Sequence, residues 1–274
     1  MLNLVLGFVL LVDCSICSAT LLWRIETSPP AYILGTIHIP YNLVSSHVSN
    51  EIRKAFQSST HFYAEIDAKN DAYWDEFHQC LLNRSLRARR SNEPMAEGDL
   101  FDIHLAEEAR RLNKTVGSLE PAEYHCENEG WRYNISTWQL ILNVVRKEMK
   151  SRPSNIINAQ DYLQESINKK YICDEIDRNY IETLIKSPEE RKSLEQRDAQ
   201  MSKHIHRLLH RSNKNRYFFA IGAAHMFGKY KNLIVRLKTF GYKITRVCTD
   251  QNRIKNKLGC KKKKLMKHCL KRKL

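Results

Sequence analysis

The chain has 274 residues, a formal charge of +15, 42% hydrophobic and 9% aromatic residues, and only 9 Gly and 7 Pro. That balance suits one large folded domain or two small ones, and it excludes collagen-like, low-complexity and wholly disordered chains. No run of about 18 apolar residues occurs, which excludes a transmembrane helix. Residues 251–274 hold 11 Lys and Arg and no Asp or Glu, leaving +4 for the remainder. The basicity therefore belongs to a tail and says little about partners of the folded body.

In chain order, residues 2–12 are mostly apolar, with the length of a signal-peptide core, and Cys17-Ser18-Ala19 offers small residues for cleavage after Ala19. Residues 1–19 are accordingly read as an export signal, although Lys and Arg are missing before the apolar stretch; a buried N-terminal strand or helix is the competing reading. Leu21 to Ile25 and Ala31 to Leu34 predict short strands flanking Ser28-Pro29-Pro30. His61 to Ile66 predicts another strand. The polar, basic stretch from Asn83 to Gly98 reads as a loop or linker.

Asp102 to Leu112 fits an amphipathic helix. Asn134 is a candidate cap for a helix carrying Ile135, Trp138, Ile141, Leu142 and Val145 at helical spacing. Pro188 to His210 predicts a long polar helix, and Arg216 to Ile221 an apolar strand. Met226 to Thr239 predicts a helix ended by Gly241, and Tyr242 to Val247 a last strand. The fold class is mixed α/β, a central sheet with surrounding helices. Residues 20–250 form the folded body and 251–274 a flexible basic tail.

Export would leave six cysteines, Cys80, Cys126, Cys173, Cys248, Cys260 and Cys269. An even number suits disulfides, with about 15 possible pairings for six. None of the six forms C-x-x-C, which argues against a zinc ribbon or redox pair. Asn83, Asn113 and Asn134 each open an N-x-S/T glycosylation sequon.

Two segments share one pattern. Tyr32-Ile33-Leu34-Gly35-Thr36-Ile37-His38 and Phe219-Ala220-Ile221-Gly222-Ala223-Ala224-His225 each read as a strand, a Gly, two residues, then His. Gly at a strand end permits positive φ and close backbone approach. A His just beyond lies at the carboxyl end of the strand, where open α/β sheets bind ligands. Two core histidines capping their strands are the alternative. In Tyr63-Ala64-Glu65-Ile66-Asp67, a strand would put Glu65 and Asp67 on one face. A buried carboxylate there needs a cation or metal partner; a surface ion pair is the plainer reading. Two imidazoles and a carboxylate make a plausible divalent-metal site.

His206 and His210 are four apart on the long helix, but Arg207-Leu208-Leu209 between them breaks H-E-x-x-H, and solvated histidines are the better reading. No G-x-x-x-x-G-K, G-x-G-x-x-G or G-x-S-x-G occurs, which argues against nucleotide-binding and serine-hydrolase classes.

At these residues the chain resembles the TIKI metalloproteases of the wider TraB/GumN family. The resemblance runs through Leu22-Trp23-Arg24-Ile25, Gly35-Thr36-Ile37-His38, Pro40-Tyr41, Tyr63 to Asp67, Asp102 to Cys126 and Arg197 to Val247, covering roughly residues 20–250. It implies a secretory-pathway, membrane-associated protease using Mn2+ or Co2+, which removes an amino-terminal segment from Wnt proteins and so dampens Wnt signalling. It implies His38, Glu65 and His225 as the metal site, with Glu65 also catalytic, and Arg197 as a catalytic cation for a developing oxyanion. Glu120 matches a family carboxylate following a short strand, a candidate ligand or a support to one. Asp198 stands where the family usually has Asn.

Two departures follow. The family has several dozen more residues where this chain has only 81–101. This chain also ends in the basic stretch Lys261 to Leu274 without an apolar anchor, which predicts release into the lumen or medium, or attachment by charge to anionic surfaces. A catalytically inactive secreted binding protein of the same fold is the alternative function. A polyanion contact through the tail is a third possibility, with no sequence-specific nucleic-acid binding expected.

Overall fold

A computed structural model describes residues 18–36, 41–67, 70–83, 101–122, 124, 182, 187–211, 214–228 and 231–249. The apolar leader, His38, the basic 84–98 stretch, Asn134 and its predicted helix, the cysteines at 126, 173, 260 and 269, and the 251–274 tail lie outside the described residues.

The elements are strands β1 (Ser18–Ile25) and β2 (Ala31–Thr36), helices α1 (Tyr41–Val44) and α2 (Asn50–Ser58), strand β3 (His61–Ala64), helices α3 (Asp71–Asn83) and α4 (Phe101–Arg111), and strand β4 (Thr115–Ser118). After these come α5 (Pro188–Arg211), β5 (Tyr217–Gly222), the short α6 (Ala224–Phe227), α7 (Leu233–Thr239) and β6 (Ile244–Thr249). The six strands form one mixed sheet in the order β4-β3-β5-β2-β1-β6. The four strands β4, β3, β5 and β2 run parallel, while β1 pairs antiparallel with both β2 and β6.

Residues of β5 are buried without exception, as a parallel strand covered on both faces must be. Alternation sends Tyr217, Phe219 and Ile221 to one face, where they meet Met201, Ile205 and Leu208 of α5 and Leu233, Ile234 and Leu237 of α7. Phe218 and Ala220 face the other way, against Ile52, Ala55 and Phe56 of α2 and Phe101, Leu105 and Ala109 of α4. The result is three layers, helix on sheet on helix.

Local chemistry sets the element ends. The long helix α5 opens with a capping box: Glu190 N–H donates to Ser187 Oγ at 3.1 Å, and Ser187 N–H donates to Glu190 Oε2 at 3.2 Å. The Met226 to Thr239 helix is in fact divided. Asn232 accepts from Val235 N–H at 3.1 Å and donates to the Gly228 carbonyl at 3.1 Å. Its side chain thus starts a new helix instead of continuing the old one. Gly241, at φ +92°, turns the chain out of α7.

The predicted His61 to Ile66 strand stops at Ala64. Asp67 N–H is taken by Ser118 Oγ at 2.8 Å, and the Asp67 carboxylate pairs with Arg110. Glu65 and Asp67 therefore go to different partners.

Candidate active site at the carboxyl ends of the parallel strands

All four parallel strands end at the same edge of the sheet, and the ladder continues past them. Glu120 N–H donates to the Glu65 carbonyl at 3.0 Å, and Ala223 N–H donates to the Thr36 carbonyl at 2.7 Å. Glu65 follows β3, Glu120 follows β4 and His225 follows β5, so three chain-distant residues arrive side by side. Tyr63 packs on the α5 side of the sheet, and alternation puts Glu65 two residues on toward that side too. There α5 delivers Arg197 and Asp198.

Arg197 bridges two carboxylates. Its Nε donates to Glu120 Oε1 at 2.6 Å, and its Nη2 donates to Glu65 Oε2 at 2.6 Å and Glu120 Oε2 at 3.0 Å. Glu65 Oε1 accepts from Gly222 N–H, at the end of β5. His225 Nε2 lies 3.8 Å from that same oxygen. The other ring nitrogen, Nδ1, is 2.8 Å from Asp198 Oδ1. All four acids and bases around Arg197 are buried: Glu65 is 6% exposed, Glu120 1%, Asp198 0% and His225 2%.

Burial works against the Arg197 charge, but Glu120 and Glu65 outweigh it and hold the guanidinium protonated well above its ordinary range. Burial raises the Asp198 carboxyl, with the neighbouring His225 opposing. Burial lowers the His225 imidazole, but Asp198 and Glu65 more than reverse this, so it is raised overall.

Two buried carboxylates thus share one guanidinium, and a third, Asp198, holds the imidazole beside them, a set of acids that favours cationic partners. Asp198 Oδ2 is buried and has no hydrogen-bond partner among the described residues. An imidazole nitrogen and a carboxylate oxygen 3.8 Å apart are closer than two metal–ligand bonds of about 2.0–2.2 Å laid end to end. The donor chemistry fits a divalent ion held by His225 and Glu65, with His38 as the third ligand that the sequence suggests. Among the described residues, no group of three His, Cys, Asp or Glu side chains is arranged to hold a metal.

Of the residues singled out from the sequence, Glu65, Glu120, Arg197 and His225 are brought together. The guanidinium that the resemblance assigns to an oxyanion directs Nε and Nη2 to carboxylates. His206 packs instead on Phe240 and bonds Tyr242 Oη through Nδ1 at 3.0 Å, on the far stretch of α5. Asn113 is exposed at the turn after α4, and Asn83 is the last residue of α3.

Of the two uses expected of the first G-x-x-H glycine, positive φ and close approach, the second holds. Gly35 has no positive φ; a Cβ there would come within 3.2 Å of the Trp23 ring and 3.5 Å of Ala223. Sequence reasoning missed the Gly222 N–H to Glu65 bond and the Asp198–His225 pair. One signal for the latter existed: Asp198 falls on the buried stripe of α5 with Met201, Ser202, Ile205 and Leu208, where an acid has no place without a partner.

A sheet whose parallel strands end together in a buried Glu–Arg–Glu bridge beside a His–Asp pair defines an α/β protein with a polar site at its strand ends. The TraB/PrgY/gumN family model matches residues 72–246, more than half of the chain, and the chain belongs to that family. The match holds Glu120, Arg197, Asp198 and His225, while Glu65 and His38 precede it.

Among curated proteins, the chain is similar to Metalloprotease TIKI1 of Xenopus tropicalis, 23% identical over 88% of this chain and 64% of that protein. It is also similar to Metalloprotease TIKI1 of Homo sapiens, 23% identical over 81% of this chain and 61% of that protein, and to the Metalloprotease TIKI homolog of Nematostella vectensis, 24% identical over 55% and 35%. The chain thus spans less than two thirds of the length of the curated relatives it matches. No solved structure matches the chain at a significant level.

Proposed function

We propose that the chain is a divalent-metal-dependent endopeptidase of the secretory pathway that trims the amino-terminal segment of Wnt-type proteins. The observation that carries the reading is the meeting of Glu65 and His225, 3.8 Å apart, inside a buried carboxylate cluster. Family membership and relatives named metalloproteases support it.

Glu65 and His225, with His38, would hold the ion, Mn2+ or Co2+. When bound, such an ion supplies Lewis acidity, polarising a carbonyl and acidifying a coordinated water. The chain's own groups do the rest. Gly222 N–H and Arg197 fix the Glu65 carboxylate from opposite oxygens. Glu65 Oε1 is the oxygen nearest the imidazole and would be the one that faces the ion. Arg197 and Glu120 lock its orientation, so the carboxylate meets the substrate already aligned. A cavity of about 710 Å³ runs from Glu120 along α5, walled by Tyr73, Leu119, His204, His206 and Phe240, and Glu120 is the one member of the cluster that lines it.

Residues 1–19 are proposed as a cleaved signal, 20–250 as the catalytic domain and 251–274 as a basic tail for anionic surfaces. The disulfide at Cys80 suits an oxidising compartment, whether the protein is released or held at the cell surface. The test is incubation of the secreted chain with a Wnt protein and Mn2+ or Co2+, followed by amino-terminal sequencing of the product. A new amino terminus, lost with chelator and in His38→Ala, is expected. An intact substrate with a folded, monodisperse chain would contradict the reading and favour a binding role.

A further inference from the structure

A neutral imidazole carries its proton on Nδ1 or on Nε2, and only the bare nitrogen can face a metal or a proton donor. His225 is 2% exposed, so water does not choose. The partner that does is Asp198, whose Oδ1 lies 2.8 Å from Nδ1. An ionised carboxylate only accepts hydrogen bonds, whereas an amide accepts through oxygen or donates through nitrogen. Asp198 Oδ1 lies 2.8 Å from Nδ1, within hydrogen-bond reach, while Glu65 Oε1 lies 3.8 Å from Nε2, beyond it; the neutral ring therefore carries its proton on Nδ1, and Nε2 keeps its lone pair.

We propose that Asp198 is a positioning residue: its carboxylate holds His225 in the Nδ1–H tautomer and turns the bare Nε2 toward Glu65. Three features of the site accord with this. Asp198 is 0% exposed, on a buried helix stripe where it is the one charged residue beside Met201, Ser202, Ile205 and Leu208. Among the described residues its second oxygen has no hydrogen-bond partner, so the bond to Nδ1 is the hydrogen bond this side chain makes there. It also follows Arg197 in the chain, so one turn of α5 orients both Glu65 and His225. The inference deepens the reading of His225 as a metal-facing group and rests on it only for its consequence, not for the tautomer.

The test is nitrogen-15 NMR of the full, metal-free chain labelled at histidine, followed upward in pH until the His225 resonances stop shifting and the ring is neutral. His225→Gln identifies the resonances. The expected wild-type spectrum has a protonated Nδ1 and a bare Nε2 at His225. Asp198→Ala and the isosteric Asp198→Asn should both lower the Nδ1–H population, Ala more than Asn. Co2+ affinity should fall about 10- to 100-fold in Asp198→Ala, the usual loss on removing a carboxylate behind a ligating histidine.

A wild-type Nε2–H tautomer would overturn the proposal, and so would an Nδ1–H population unchanged in the folded variants. Should the Ala variant not fold, the Asn variant decides by the same criterion. A wild type with the Nδ1–H tautomer, sensitive to both substitutions but without Co2+ binding, upholds the positioning role while removing the metal reading.

Discussion

Glu65 and Glu120 stand next to each other at the ends of adjacent parallel strands, joined by a backbone hydrogen bond from Glu120 N–H to the Glu65 carbonyl at 3.0 Å. Their carboxylates would repel in a buried setting, and Arg197 lies between them with 2.6 Å contacts to both. Removing one partner of such a network leaves buried charge uncompensated, typically a loss of about 3–5 kcal/mol. Arg197→Ala is therefore expected to lose about that much in urea unfolding. Arg197→Lys keeps the charge but not the planar fork and should recover only part of the loss. A neutral effect of Arg197→Ala would show that the carboxylates are not held as pictured.

The His225 imidazole is raised above its ordinary 6.5, with burial opposing and Asp198 and Glu65 prevailing. The folded state then binds the proton more tightly than the unfolded state. The stabilisation from the charged ring is fully present below about pH 6.5 and is lost as pH rises through the folded value. Burial lowers His61 and acts in the opposite direction, so the difference between wild type and His225→Gln is the useful quantity. In the metal-free chain that difference in Tm should shrink from pH 6 to pH 9. A difference that grows over this range would reverse the assignment.

Gly117 on β4 lies against the Tyr63 ring on β3, where an added Cβ would sit 2.6 Å from a ring carbon. That clash cannot be absorbed without moving the ring. Gly117→Ala should destabilise by about 1–3 kcal/mol, the usual range for overpacking. Tyr63→Ala should make the same substitution nearly neutral, a coupling that a double-mutant cycle reads directly. Additive effects would place the strain elsewhere.

Much of the sheet was legible in the sequence, because β2 and β5 are short apolar runs bounded by Gly and their burial is the only way to satisfy them. The pairing of the two G-x-x-H strands was not legible; they are adjacent and parallel, with Gly35 opposite Ile221 and Thr36 opposite Gly222, one residue out of step with the motif. The end of β3 was misjudged because Ile66 continues the apolar alternation, while Ser118 and Arg110, both distant in sequence, draw Asp67 out of the strand. Helices α1, α2 and α3 were not individually predicted, and strand β4 was expected only as the short strand that the resemblance puts before Glu120; Thr115 to Ser118 is too short and too exposed to carry a period of its own. In the site, Glu65 and His225 stood out by motif, whereas the role of Asp198 depends on a contact spanning 27 positions.

Asn113 is exposed at φ 54° in the turn that ends α4, with Lys114 N–H returning to the Ala109 carbonyl at 2.9 Å. Asn is one of the few residues that takes this conformation readily, and here it opens an N-K-T sequon. Expression through a eukaryotic secretory route should yield a glycan at Asn113, read as a mass shift removed by glycosidase and reduced in Thr115→Ala. Secreted protein with an unmodified Asn113 would contradict this expectation.

The proposed hydrolysis would depend on one divalent ion held by Glu65 and His225 with His38. Its most direct test is titration of the chelator-treated full chain with Co2+ while following cleavage of a Wnt amino-terminal peptide. Activity should rise to a plateau at one ion per chain, and Glu65→Gln and His225→Gln should stay flat while remaining folded. Full cleavage with chelator present, or a plateau unchanged in both variants, would contradict the account.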